Sequence, residues 1–264
     1  MNIQGDFRVY SNANLTGVTV NSTPTATGFN TFWVRDCNMT GTLDLTGIQG
    51  GFRSFDCHNN PNLTTLTFDA GMTMYANGTV FDFVDCDITG VLDISMFDKL
   101  GGRFWGYNNA NLTGITFPTS TVAFTDMRVY NTGLTSVDFS SLSGFAGRIE
   151  FNNNALTSVT FPVTSATFTN FLFQDNSSLG FIDFTNLTGL LAANVSINVR
   201  SINATATQMN QMLVDLDNLP YSASGTPQIV MDGTNAAPDG TSGGLDGLTA
   251  KANLISKGAS VTTN

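Results

Sequence analysis

Two tryptophans, Trp33 and Trp105, and three of the five tyrosines, Tyr10, Tyr107 and Tyr130, share short windows with Arg8, Arg35, Arg103 and Arg128. Large flat side chains beside guanidinium groups are the types that dominate binding hot spots. The single histidine, His58, sits between Cys57 and Asn59, with acids at Asp56, Asp82 and Asp85. Carboxyl pairs of this kind are what glycoside hydrolysis uses. They are also what any Asp-rich ladder produces by chance, and His58 has no serine or cysteine nucleophile in a recognisable strained turn. No glycine-rich phosphate loop, EF-hand or zinc spacing is present, and the 232–246 stretch lacks the spacing of a calcium loop. The chemistry-bearing residues therefore point to non-covalent recognition, with no cofactor and no metal expected.

Composition narrows the partners. Hydrophobic residues make up 41% of the 264-residue chain and charged ones 11%, which places it among folded proteins despite its many Thr, Asn, Ser and Gly residues. A formal charge of −10 argues against nucleic acid and against an anionic membrane surface. No apolar run reaches membrane-spanning length, and residues 1–6 lack the basic and apolar regions of a signal peptide. The chain is expected to stay inside the cell that makes it, to leave by assembly into a particle such as a virion, or to have lost a leader.

An internal repeat supplies the elements that must position these residues. Each unit carries an apolar-x-apolar-x-x-(Asn, Cys or Thr) run: Phe7-x-Val9-x-x-Asn12, Phe32-x-Val34-x-x-Cys37, Phe55-x-Cys57-x-x-Asn60 and Phe81-x-Phe83-x-x-Cys86. It continues as Phe104-x-Gly106-x-x-Asn109, Met127-x-Val129-x-x-Thr132, Ile149-x-Phe151-x-x-Asn154 and Phe171-x-Phe173-x-x-Asn176, with successive units 22–26 residues apart. A weaker ninth unit, Val195-x-Ile197, follows. The pattern, best seen in Phe168-Thr-Asn-Phe171-Leu-Phe173-Gln-Asp-Asn176, resembles the leucine-rich-repeat family with Phe, Val and Ile replacing most leucines. The resemblance covers residues 6–203 and implies a parallel β solenoid in which the anchor Asn or Cys bonds neighbouring backbone where the chain turns inward. Cys37 and Cys86 then belong to the anchor ladder and Cys57 to an inward strand position, so all three are expected as reduced, unreactive thiols.

The second half of each unit alternates and is rich in β-formers, as in Leu112-Thr-Gly-Ile115-Thr116-Phe117, and predicts a short second strand. Its central polar residue alternates strictly: Thr19, Asp44, Thr67, Asp93, Thr116, Asp138, Thr160, Asp183. Stacked strands lie about 4.8 Å apart, where like charges repel by about 1 kcal/mol in water, and alternation relieves that repulsion. From residue 203 the composition changes. Met209, Met212, Leu213 and Leu216 predict an amphipathic helix over 204–218, followed by a strand at 228–231, a loop to 244, a last helix carrying Leu248, Leu254 and Ile255, and a terminal strand in 259–263. This segment is similar to the C-terminal cap of repeat proteins from Bacteroidetes bacteria and their phages, through residues 233–238 and 257–262. The expected architecture is a mainly β, two-sheet leucine-rich-repeat solenoid over 1–203 with a small α/β cap over 204–264.

In that geometry the residues four, two and one before each anchor point outward and form lanes. The first lane reads Arg8, Trp33, Asp56, Asp82, Trp105, Arg128, Glu150, Leu172; the second Tyr10, Arg35, His58, Val84, Tyr107, Tyr130, Asn152, Gln174. The third reads Ser11, Asp36, Asn59, Asp85, Asn108, Asn131, Asn153, Asp175. The expected binding face comprises Trp33, Arg35, Arg103, Trp105, Tyr107, Asn108, Arg128, Tyr130 and Asn131. On it Trp105, Tyr107 and Tyr130 make a flat aromatic platform, Arg103 and Arg128 supply forked donors, and the asparagines supply donors and acceptors. Cross-strand pairs that merely stabilise an open sheet are the plainer reading of the same lanes. The expected role is non-enzymatic adhesion or recognition of a glycan or protein, on a virion or cell surface. A structural assembly subunit, contacting a second copy or a partner through the strand edge around Phe7 and Val9, is the first alternative; a glycan-cleaving enzyme is the second.

Overall fold

The computed structural model describes residues 5–20, 28–48, 50–74, 78–97, 99–119, 123–142, 145–191, 194–222 and 225–264. The chain is mainly β, with 38% strand and 11% helix, and parallel sheets form a β-solenoid of about seven turns with a small C-terminal α/β region. It divides into two compact units, Met1–Gly133 with Ser141–Ser143, and Leu134–Ser140 with Gly144–Asn264.

In the first unit the strands Asp6–Asn12, Phe29–Cys37, Gly51–Asp56, Gly78–Asp82, Leu100–Trp105 and Phe124–Arg128 pair in parallel in that order. Their register puts Phe7, Phe32, Phe55, Phe81, Phe104 and Met127 opposite one another. The rings form a column with centroids 4.9 Å apart for Phe7 and Phe32, 6.0 Å for Phe32 and Phe55, 4.9 Å for Phe55 and Phe81, and 5.6 Å for Phe81 and Phe104. A repeat of one flat apolar residue per coil thus becomes a continuous stack, fully buried from Phe32 to Phe104, each ring shielding the next from water.

In the second unit the strands Phe145–Glu150, Phe168–Leu172, Ser196–Asn198, Gln228–Val230 and Ser260–Thr262 pair likewise. Ile197 lies opposite Phe171, so the ninth unit is framed as Ile197-x-Val199 and not as Val195-x-Ile197. Val195, Ile197 and Val199 are all buried and Ile202 fills the anchor slot, so no polar anchor fixes the frame of this period-2 run. The cap continues the same ladder: Ile229 pairs with Ile197, and Val261 with Ile229. Its first helix, Ala206–Asn218, starts at a Thr205 capping box in which Gln208 N donates to Thr205 Oγ1 and Thr205 N to Gln208 Oε1. Met209, Met212, Leu213 and Leu216 form its buried stripe. The second helix, Gly247–Ser256, is capped by Asp246, whose carboxylate accepts from Thr249 N.

The second strands of the coils form separate two-stranded sheets among the described residues. Thr40–Leu45 pairs with Asn62–Phe68, Gly90–Asp93 with Leu112–Thr116, and Ser136–Asp138 with Ser158–Thr160. Each piece joins an Asp coil to the following Thr coil, with Asp44 opposite Thr67, Asp93 opposite Thr116 and Asp138 opposite Thr160. Asp44, Asp93, Asp138 and Asp183 each accept the backbone N–H two residues on, at 2.8–3.0 Å, which starts a tight turn. The Asp/Thr alternation therefore marks alternating connections as well as spacing out charge.

Candidate functional site

The outward face of the first unit is shaped by a backbone corner that recurs in every coil. Residues one before the anchor have positive φ throughout: Ser11 54°, Asp36 52°, Asn59 55°, Asp85 53°, Asn108 59° and Asn131 53°. Asn and Asp tolerate the left-handed region better than other side chains, so this lane is Asn, Asp and Ser because of its backbone. The side chains also hold one another across coils: Asn59 Nδ2 donates to Asp36 Oδ1 at 2.9 Å, Asn108 Nδ2 to Asp85 Oδ1 at 2.7 Å, and Asn131 Nδ2 to Asn108 Oδ1 at 2.8 Å. The corner lets the following residue turn inward as the anchor. Asn109 Nδ2 donates to Phe83 O at 2.9 Å and Gly106 O at 3.1 Å, while its Oδ1 accepts from Ile88 N at 2.9 Å. Asn60 and Asn176 do the same in their coils, and so does Asn235 in the cap, within the stretch that the sequence predicts as a loop. The missed signal is a one-residue insertion: Asn235 stands four residues after Met231, where Asn60 stands three after Cys57.

Two lanes rise above that corner. Register places Arg8, Trp33, Asp56, Asp82, Trp105 and Arg128 in lateral sequence, so two carboxylates sit centrally, each followed outward by a tryptophan and then an arginine. The guanidinium carbons of Arg8 and Arg35 lie 4.6 and 4.4 Å from the Trp33 ring centroid, and those of Arg103 and Arg128 each lie 4.9 Å from that of Trp105. Trp33 Nε1 donates to Ser54 Oγ at 3.0 Å. Trp105 Nε1 is buried with no hydrogen-bond partner among the described residues. Tyr107 and Tyr130 stack with centroids 4.5 Å apart and planes 4° from parallel.

These contacts correct the flat platform expected from Trp105, Tyr107 and Tyr130. Rings stacked at the strand spacing stand across the sheet and cover each other, and the Trp105 ring is covered by arginines. The Arg128 fork, expected to be available, closes on Asp126 at 2.8 and 2.9 Å. Asn108 and Asn131 are exposed but bonded to each other.

Asp56, His58 and Asp82 meet at the centre, one ligating atom from each lying within 4.8 Å of the others. Asp85, expected beside the two acids, is instead held by Asn108 at the corner, and His58 takes its place. Asp56 Oδ1 accepts from His58 Nδ1 at 2.7 Å and from His58 N at 3.1 Å, and Arg35 Nη1 reaches Oδ2 at 3.3 Å. The bond to Asp56 raises the His58 pKa. Burial, with the neighbouring Asp56 charge, pushes Asp82 up to about 6. Beneath them the Cys57 thiol is pushed well above its ordinary value by burial.

The sequence matches no protein-family model, no curated protein and no solved structure.

Proposed function

We propose that the protein is a non-enzymatic recognition module that engages a protein partner through this outward face, with Trp33, Arg35, Trp105, Tyr107, Arg128 and Tyr130 as its anchors. The observation that carries the reading is the pair of arginine–tryptophan stacks, Arg8 and Arg35 on Trp33 and Arg103 and Arg128 on Trp105. Stacking fixes long side chains before a partner arrives and so reduces the entropy lost on binding. A sugar stacks on an open ring face, whereas these rings are covered by guanidinium groups or by each other, which favours a protein over a glycan. Of the acids that a glycan-cleaving enzyme would use, Asp56 has partners on both oxygens and Asp85 accepts from Asn108.

Random-peptide display on the immobilised protein, run beside a glycan array, tests this. Selected peptides should lose at least about thirtyfold in affinity on Trp105→Ala or Trp33→Ala, the loss typical of a central hot spot. Peptides that bind both variants as tightly as the wild type would move the site elsewhere, and array hits lost in the same variants would restore the glycan.

A second reading, assembly of copies, has its own observation. Strand Asp6–Asn12 is paired on one side among the described residues, and Phe7 and Val9 are half-buried there. Unpaired edges with apolar side chains invite further pairing. Assembly would appear as a solution mass above 28.1 kDa that Val9→Lys reduces; a monomer at high concentration would end it.

A further inference from the structure

We propose that Asp56, His58 and Asp82 form a binding site for a divalent transition-metal ion of the zinc class. The two carboxylates come from adjacent coils and are withdrawn from water, with relative exposures of 5% and 7%. Exposed acids cluster by chance on any acidic protein, but burying two against each other costs free energy unless a cation offsets it. Asp82 makes the case specific. Its Oδ1 accepts the Val84 N–H at 3.1 Å, and no side chain donates to this buried carboxylate among the described residues. The carboxylate thus keeps unused acceptor capacity, and Asp56 and His58 each offer a ligating atom within 4.8 Å of it.

Charge agrees with that reading. Three carboxylates, Asp36 at 3.7 Å from Nε2, Asp56 and Asp82, stand around His58, against the guanidinium of Arg35. With His58 in the neutral form that a metal ligand requires, the group carries two negative charges, which one divalent cation balances. Arg35 holds Asp56 Oδ2, leaving Oδ1 facing the imidazole. The proton that now joins His58 Nδ1 to Asp56 Oδ1 across 2.7 Å occupies the place the metal would take. On binding, that proton leaves to solvent, and the gap opens to about 3.4 Å to accept bonds of about 2.1 Å in a tetrahedral set. One imidazole nitrogen and two carboxylate oxygens suit zinc, whereas calcium and magnesium prefer oxygen alone. His58 is half-buried, so a fourth position remains for water. The inference rests on these three residues and not on the recognition reading, since the ion would bind with no partner present.

Zinc chloride titrated calorimetrically into chelator-treated full-length protein tests the site, together with thermal midpoints. The wild type should take up one equivalent and gain in midpoint; Asp82→Asn and His58→Gln should each lose at least tenfold in affinity, and the neighbouring Asp85→Asn should keep it. Because His58 is the one histidine in the chain, its imidazole resonance reports ligation directly and should shift on zinc addition even if a variant folds poorly. No uptake by the wild type, uptake unchanged in Asp82→Asn and His58→Gln, an unmoved imidazole signal, or an equal midpoint gain from magnesium or calcium would each overturn the proposal.

Discussion

The ring of Phe83 occupies the space that a side chain on Gly106 would need: a β-carbon at Gly106 would overlap the ring's far edge. These are the second apolar positions of adjacent coils, where Val34, Cys57 and Val129 stand elsewhere. The oversized residue in one coil is matched by the missing side chain in the next, which keeps the interior close-packed at constant coil spacing. Gly106→Ala should therefore destabilise by about 1–3 kcal/mol through overpacking. Adding Phe83→Leu should recover part of that loss, and a double-mutant cycle on urea midpoints would show the coupling. Independent, additive effects would mean that the two positions do not share space.

The anchor and corner positions, adjacent within each coil, should respond differently to substitution. Asn109 is fully buried and bonds four backbone groups, so Asn109→Leu should cost at least about 3 kcal/mol, since each orphaned buried group costs about 1–3 kcal/mol. Asn131 is exposed with φ 53°, so Asn131→Gly should be close to neutral, whereas Asn131→Val should cost about 1–3 kcal/mol in backbone strain. Thermal unfolding of the three variants checks the contrast, and an Asn131→Val as stable as the wild type would contradict the corner geometry.

The three cysteines should resist labelling in the native protein. All are buried and free; Cys37 Sγ donates to Arg35 O and Cys86 Sγ to Cys57 O, each at 3.2 Å. Burial raises the Cys57 pKa, so little thiolate is available there for reaction. Thiol reagent at pH 8 should modify fewer than one cysteine per chain until denaturant is added, counted by intact mass. Rapid native labelling would place a thiol at the surface.

Asp215 should make the fold less stable as pH rises. Its side chain is buried, with Gln211 Nε2 donating at 2.7 Å, and burial raises its pKa above the ordinary 3.8. A carboxyl whose folded pKa is raised favours the folded state most below the unfolded value, and that contribution is lost as pH climbs through the folded value. Asp215→Asn removes the titration, so the variant should gain on the wild type between pH 4 and pH 7, measured by urea midpoints at both ends. A gap that stays constant with pH would show that Asp215 does not contribute in this way.

Much of the architecture is legible in the residues. Phe7, Phe32, Phe55, Phe81 and Phe104 announce the coil length, and their neighbours at Asn60 and Asn109 announce the inward turn, because one side chain type must recur wherever the same buried slot recurs. The helix from Ala206 to Asn218 is visible in the spacing of Met209, Met212, Leu213 and Leu216. Where the signal loses its polar marker, as at Ile197 and Ile202, or gains a residue, as at Asn235, the frame cannot be read along the chain and is set by pairing with the neighbouring coil.

The sequence by itself determined which side chains face in and which face out, since that follows from the alternation of a strand and the spacing of the anchors. It also placed Trp33, Asp56, Asp82, Trp105 and Arg128 in one outward lane. Only the tertiary structure decided what those residues do to one another. Asp56, His58 and Asp82 come together because lateral register brings adjacent coils within side-chain reach, and each tryptophan is covered by one arginine two residues away on its own strand and by one from a neighbouring strand. The Asn108–Asn131 pair is set by a left-handed backbone corner, a conformation that an asparagine permits but does not specify.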